Sequence, residues 1–132
     1  MYNILFIIST LRLTGPVMQL YNICKYLDRS IFSPAIITLS PEPRNSLKEK
    51  FETLKIQVIA LNNTRFYGSI VNTLKIKRII NILNPDIIHT HAIRADMIIH
   101  PLKFQNHIST IHLYPSEDYK IHYGKWIGKV LE

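Results

Sequence analysis

The chain has 132 residues, 47% of them hydrophobic and 19% charged, which excludes a disordered polymer and supplies enough material for one domain around one core. Its single cysteine, Cys24, excludes a disulfide framework within the monomer and suits a reducing compartment. No apolar run is long enough to span a bilayer, and the N-terminus lacks the basic segment and extended apolar stretch of a secretion signal.

The segment Ile4 to Ile8 is continuously apolar, as a strand buried on both faces requires. A polar turn, Ser9 to Gly15, follows, and Pro16 opens an amphipathic helix that runs to about Leu27. Gly15 lets the backbone turn sharply and a ligand come close. The helix N-terminus is a natural anion site, although a plain strand-to-helix connection without a ligand fits these residues equally well, because no complete G-x-G-x-x-G is present. Cys24 lies in this helix and reads as a small buried hydrophobe rather than a nucleophile.

Asp28 to Pro34 reads as a loop and Ala35 to Leu39 as a second buried strand, stopped by Pro41 and Pro43. Ser46 and Glu49 have the spacing of a capping box, ahead of a helix with Leu47, Phe51 and Leu54 on one face. Gln57 to Leu61 predicts a third strand, and Asn62 to Gly68 a polar loop containing Arg65, Phe66 and Tyr67. A longer helix, Ser69 to Leu83, carries an apolar stripe of Ile76, Ile79, Ile80 and Leu83, flanked by Lys75, Lys77 and Arg78, and Asn84-Pro85 ends it. Asp86 to His89 predicts a fourth strand running into Thr90 and His91. A short helix from Ile93 closes at Pro101. Ile108 to Leu113 predicts a fifth strand, with Ser109 and Ile111 on one side and Thr110 and His112 on the other. Tyr114-Pro115 turns the chain into a last helix, N-capped by Ser116 and containing Gly124 and Gly128.

Strands alternating with helices predict an α/β domain, a doubly wound, Rossmann-like parallel sheet of about five strands with helices on both faces. The expected strand order is 3-2-1-4-5, with a ligand beyond the carboxyl ends of the strands at the switch between the first and fourth. That rule gathers Arg12, Thr14 and Gly15 from the first strand end, His89, His91 and Arg94 from the fourth, and His112 and Tyr114 from the fifth. Imidazoles, guanidiniums and hydroxyls suit a phosphorylated or polyhydroxylated ligand. His89 and His91 are two apart and share a face, a metal-ligand spacing, but no carboxylate or thiol is placed to complete a site, so no metal is expected and backbone-bonded histidines are the simpler reading. His100, His107 and His122 fall outside the strand ends and read as structural, and Arg94 has Asp96 and Asp86 as candidate partners. The net charge of +7 suits an anionic partner, but the basic residues are dispersed, and nucleic acid is not expected.

The run from Ile4 through Pro43, with NPDIIHTHAIRAD and ISTIHLYPSEDY, resembles glycosyltransferase family four, whose members have the two-domain GT-B fold. The resemblance spans essentially the whole chain in family order and identifies it as the N-terminal, acceptor-side half. It implies transfer of a sugar from a nucleotide-sugar donor to a glycan or lipid-linked acceptor with retained anomeric configuration, in the cytoplasm or at the cytoplasmic face of a membrane that the positive charge could contact peripherally. No cofactor beyond the donor substrate is implied. Mapped onto this sequence, Gly15 with Thr14 lies nearest the donor diphosphate, and His112 is the catalytic-site histidine that meets the donor sugar. Arg12, His91, Arg94 and Tyr114 line the acceptor side. The family often has paired glycines at this turn, whereas here Thr14 precedes Gly15 and Pro16 follows. The family's C-terminal nucleotide-sugar domain, with its basic pair and carboxylate motif, has no counterpart in the 132 residues. Because stabilising the leaving group is usually a large part of such a barrier, the chain alone is expected to be inactive, and the alternative reading is a non-catalytic Rossmann-like module that binds a nucleotide or a partner protein.

Overall fold

The computed structural model describes residues 1–62 and 68–112. In chain order these form β1 (Tyr2–Ile8), α1 (Gly15–Tyr26), β2 (Phe32–Thr38), α2 (Lys48–Thr53), β3 (Gln57–Ala60), α3 (Gly68–Leu83), β4 (Ile87–His91), α4 (Ile93–Ile99), one 3-10 turn (His100–Leu102) and β5 (His107–Thr110). Most of the loop with Arg65, Phe66 and Tyr67, and everything from Leu113 onward, including Tyr114 and the expected last helix, lie outside the described residues.

The five strands form one parallel sheet in the order β3-β2-β1-β4-β5, as the pattern of the sequence predicts. Its centre is β1, and the period of two along a strand explains why. Ile4, Phe6 and Ile8 project to one face, where they pack with Leu11, with Val17, Leu20 and Cys24 of α1, and with Phe51 of α2. Leu5 and Ile7 project to the other, against Ile76 of α3 and Ala95, Ile98 and Ile99 of α4. A strand covered on both sides has no reason to alternate, so its sequence is an unbroken apolar run. Asp86 sets the start of β4: its Oδ2 accepts from the Asn3 amide at 2.7 Å, and its own amide donates to the Asn3 carbonyl at 2.8 Å.

α1 begins as expected, with Pro in the first turn, and buries Val17, Leu20 and Cys24 along one stripe. α3 buries Ile76, leaves Lys75, Lys77 and Arg78 exposed, and ends at Asn84, whose φ of 42° turns the chain out of the helix before Pro85.

Three local expectations are corrected. The second strand starts earlier, at Phe32, and includes Pro34. There β2 has only β1 as neighbour, since β3 begins pairing at Ala35, and a missing N–H is tolerated at such an edge. Ser46 and Glu49 do not form a capping box. Leu47 is the N-cap of α2, while the Ser46 hydroxyl accepts from the Lys48 amide at 3.1 Å and donates to Glu42 Oε2 at 2.5 Å. β5 is shifted back, to His107–Thr110, and His112 lies just beyond its end.

Cys24 is buried in the α1 core, and loss of hydration pushes its thiol pKa up to about 12, against a small opposing effect of Arg29. A thiol-reactive dye is expected to label the native chain only as fast as it unfolds. Rapid labelling of the folded protein would show the thiol to be accessible.

Candidate functional site

The β1–α1 turn is held by its neighbour rather than by itself. After β1, Leu11 drops into the core, and its amide donates to both oxygens of Glu42, at 3.0 and 3.2 Å. Leu47 N donates to Leu11 O at 2.8 Å, Leu13 N to Asn45 O at 3.1 Å, and Arg12 and Ser46 form an isolated antiparallel bridge. The turn and the β2–α2 loop are therefore stitched together, and Arg12, Thr14 and Gly15 are left exposed on the outer side. Thr14 is the N-cap of α1 in backbone conformation, but its hydroxyl donates back to Arg12 O at 3.3 Å and does not cap the helix. At Gly15 an added Cβ would meet nothing within 4 Å. The fold itself does not need a glycine there, which leaves close approach of a ligand as a physical reason for one.

The ends of β4 and β5 build a row of imidazoles on the α1 side of the sheet. His89 and His91 point the same way, as their spacing requires, and their rings stack at 4.5 Å. The Phe6 ring of β1 lies 5.3 Å from His89 and 6.0 Å from His91. His89 Nε2 is 2.7 Å from the Thr110 hydroxyl, so its partner is a side chain rather than the expected backbone. His91 Nδ1 is 3.2 Å from Nε2 of half-buried His112. His91 itself has no exposed surface. Burial is the first cause that depresses all three, with neighbouring histidines adding for His89 and His91, and it takes His91 from the ordinary 6.5 to about 4. These are neutral imidazoles at neutral pH. Among the described residues no group of three or more His, Cys, Asp or Glu is placed to hold a metal ion.

Arg94 lies in the first turn of α4. Its Nη1 donates to Ser40 Oγ at 2.6 Å, and Ser40 N donates to Ser9 O at 2.9 Å, so a side chain from the β4 end reaches the end of β2. The link from His91 to α4 is a single residue, Ala92, with φ 70° and ψ 157°, a region that essentially only glycine occupies. Such strain persists only where the surroundings impose it. Here the Ala92 amide is held by Thr110 O at 3.1 Å.

A second polar cluster occupies the opposite face. The Thr90 and Ser109 hydroxyls donate to Asp96, and His107 Nε2 lies 2.8 Å from the Thr90 hydroxyl and 3.3 Å from Asp96 Oδ1. A cavity of about 450 Å³ opens beside it, lined by Ile93, Met97, His100 and Ile111 among others. None of the expected site residues among those described lines it. Sequence reasoning missed both Glu42 and this cluster, although strand alternation signals that Thr90 and Ser109 point away from His91.

The doubly wound parallel sheet, with helices on both faces, defines a Rossmann-like α/β domain. Residues 13–122 match the family described as glycosyl transferase 4-like, and the chain belongs to that family. Its fold is shared with a glycosyltransferase from Rickettsia africae ESF-5, at 21% identity and a TM-score of 0.62, over 96% of this chain and 34% of that one. The chain thus spans about a third of that protein. The C-terminal domain of the PF1911 hydrogenase from Pyrococcus furiosus is also similar in fold, with 20% identity and a TM-score of 0.55 over 86% of this chain and 92% of that one. No curated protein gives a significant match.

Two outcomes test this geometry. A histidine whose folded pKa lies below its unfolded value favours the unfolded state once that state takes up a proton. The stability tied to His91 is therefore complete above pH 6.5 and is lost as pH falls from 6.5 toward about 4. The loss amounts to about 3 kcal/mol by pH 4 and shows as a fall in unfolding free energy that His91→Gln reduces. Ala92→Gly relieves backbone strain of about 1–3 kcal/mol against an unfolded-state entropy cost of about 0.5–1 kcal/mol, so a more stable protein, by about 1 kcal/mol, is expected in urea denaturation.

Proposed function

We propose that the chain is the acceptor-side domain of a glycosyltransferase that moves a sugar from a nucleotide-sugar donor to a glycan or lipid-linked acceptor, with retention of configuration. The observation that carries this reading is the convergence on one sheet edge of an open glycine turn, a neutral histidine pair and a bridging arginine, within a chain of this family. Each part has a chemical use. The exposed Thr14–Gly15 turn at the start of α1 gives a donor diphosphate a close approach to backbone N–H groups and the positive end of a helix. His112 stands at the reacting end, as a neutral hydrogen-bonding group facing the donor sugar. Arg12, His91 and Arg94 line the acceptor side, and Tyr114 is assigned with them on sequence alone.

The leaving diphosphate needs charge stabilisation that a second domain of such an enzyme supplies, and the 132 residues by themselves are expected to show no turnover. The working location is the cytoplasm, with peripheral contact at the cytoplasmic face of a membrane where lipid-linked acceptors would be met. The net charge of +7 supports attraction to an anionic surface. Among the described residues no helix is long and apolar enough to cross a membrane.

Binding of the isolated chain to a glycan array and to a panel of nucleotides tests the assignment. Glycan binding that Arg94→Ala or His112→Ala weakens about 10- to 100-fold is expected, the cost of losing a strong hydrogen bond, together with weak nucleotide binding. Tight nucleotide binding without any glycan binding would instead make the chain a nucleotide-binding module. Radiolabelled sugar transfer by the 132 residues alone would overturn the requirement for a second domain.

A further inference from the structure

His91 is a buried imidazole with one hydrogen-bond partner among the described residues. Its Nδ1 meets His112 Nε2 at 3.2 Å, while its Nε2 is shielded from solvent and has no partner among the described residues. The two ring centroids are 5.4 Å apart at an interplanar angle of 22°. That separation exceeds the nitrogen–nitrogen distance by about two ring radii, so the rings meet edge to edge in nearly one plane, the geometry of an N–H···N hydrogen bond rather than of a face-to-face stack.

One proton must lie between the two nitrogens, and only two neutral arrangements allow it. If His112 donates from Nε2, His91 accepts at Nδ1 and must carry its own proton on Nε2, a buried N–H with nothing to bond. If His91 donates from Nδ1, its Nε2 is a bare lone pair and the His112 proton moves to Nδ1. Buried donors without partners are rarer in proteins than under-used acceptors. We infer that His91 is a positioning residue that donates from Nδ1 to His112 and thereby fixes His112 as its Nδ1–H tautomer, presenting a neutral hydrogen-bond donor from that nitrogen.

The consequence is chemical. Nε2 of His112 is occupied by an incoming N–H, so protonating His112 there would set two N–H groups against each other. His112 is held as a donor that resists becoming an acid. Its Nδ1 has no partner among the described residues, and it suits an oxygen acceptor, such as a sugar hydroxyl or a phosphate oxygen. The choice of ligand rests on the function proposed above. The tautomer does not.

Long-range proton–nitrogen correlation spectra of the ¹⁵N-labelled chain, without ligand and at neutral pH, read the tautomers directly, with ring signals assigned through His112→Gln. Both rings are expected to carry their proton on Nδ1, the minor form for a free imidazole. A proton on Nε2 of His112 overturns the inference whatever the chain's function. In His91→Leu the constraint is gone, and His112 is expected to shift toward the common Nε2–H form. A folded variant in which His112 keeps the Nδ1–H form would show that His91 does not set it. If that variant fails to fold, the wild-type spectrum decides alone. Titration with inorganic pyrophosphate and, separately, with unphosphorylated monosaccharides distinguishes the two oxygen sources by which one shifts the His112 Nδ1 signal. No shift with either would remove the ligand assignment and leave the tautomer standing.

Discussion

Burial of β1 on both faces is the constraint from which the rest follows. Alternate side chains of one strand serve two separate layers, Ile4, Phe6 and Ile8 beneath α1 and α2, and Leu5 and Ile7 beneath α3 and α4. Each fully buried side chain of this size contributes about 1.5–3 kcal/mol relative to exposure, so displacing the strand would loosen both layers at once. With β1 in the centre, the chain leaves it toward β2 on one side and returns to it through β4 on the other. The opening between the β1–α1 and β4–α4 connections is a product of that winding, and every polar residue at the rim owes its position to it.

The rim departs from the rules that the core obeys. On the sheet face that carries Phe6, β4 ends in imidazoles rather than aliphatic groups, and one of them, His91, is wholly enclosed. Enclosing a polar ring with one unbonded nitrogen costs stability, and so does Ala92 in a glycine conformation beside it. Both costs fall at the carboxyl end of β4, within two residues of each other. A core built only for stability would place an aliphatic side chain and a glycine there. Two such costs side by side, at a sheet edge of the kind where ligands bind, make this the place to look for a site.

Rigidity around the glycine turn comes from an unexpected direction. Glu42 lies in a proline-rich loop that sequence patterns treat as a mere strand stop, yet both its oxygens accept from the Leu11 amide and one takes the Ser46 hydroxyl. The stitched loops leave Thr14 and Gly15 outermost. The turn is thereby presented without being filled.

The α/β class, the strand order, the helix start at Pro16 and the gathering of Gly15, His91, Arg94 and His112 on one rim were all legible in the sequence, because they depend on local periodicity and on the few ways a right-handed crossover can wind. What remained out of reach depends on groups far apart in the chain. Ser46 forms no capping box because α2 starts one residue later, at the Leu47 cap, while the Ser46 hydroxyl accepts from the Lys48 amide and donates to Glu42 of the preceding loop. Pro34 enters a strand because β3 starts too late to need its donor. His107, which reads as structural, joins Thr90 and Asp96 through contacts that no spacing rule encodes. The pairing of His91 with His112, 21 residues apart, likewise needed the register of β4 against β5. Periodicity decides which way a side chain faces, whereas only the packed sheet decides which nitrogen it meets.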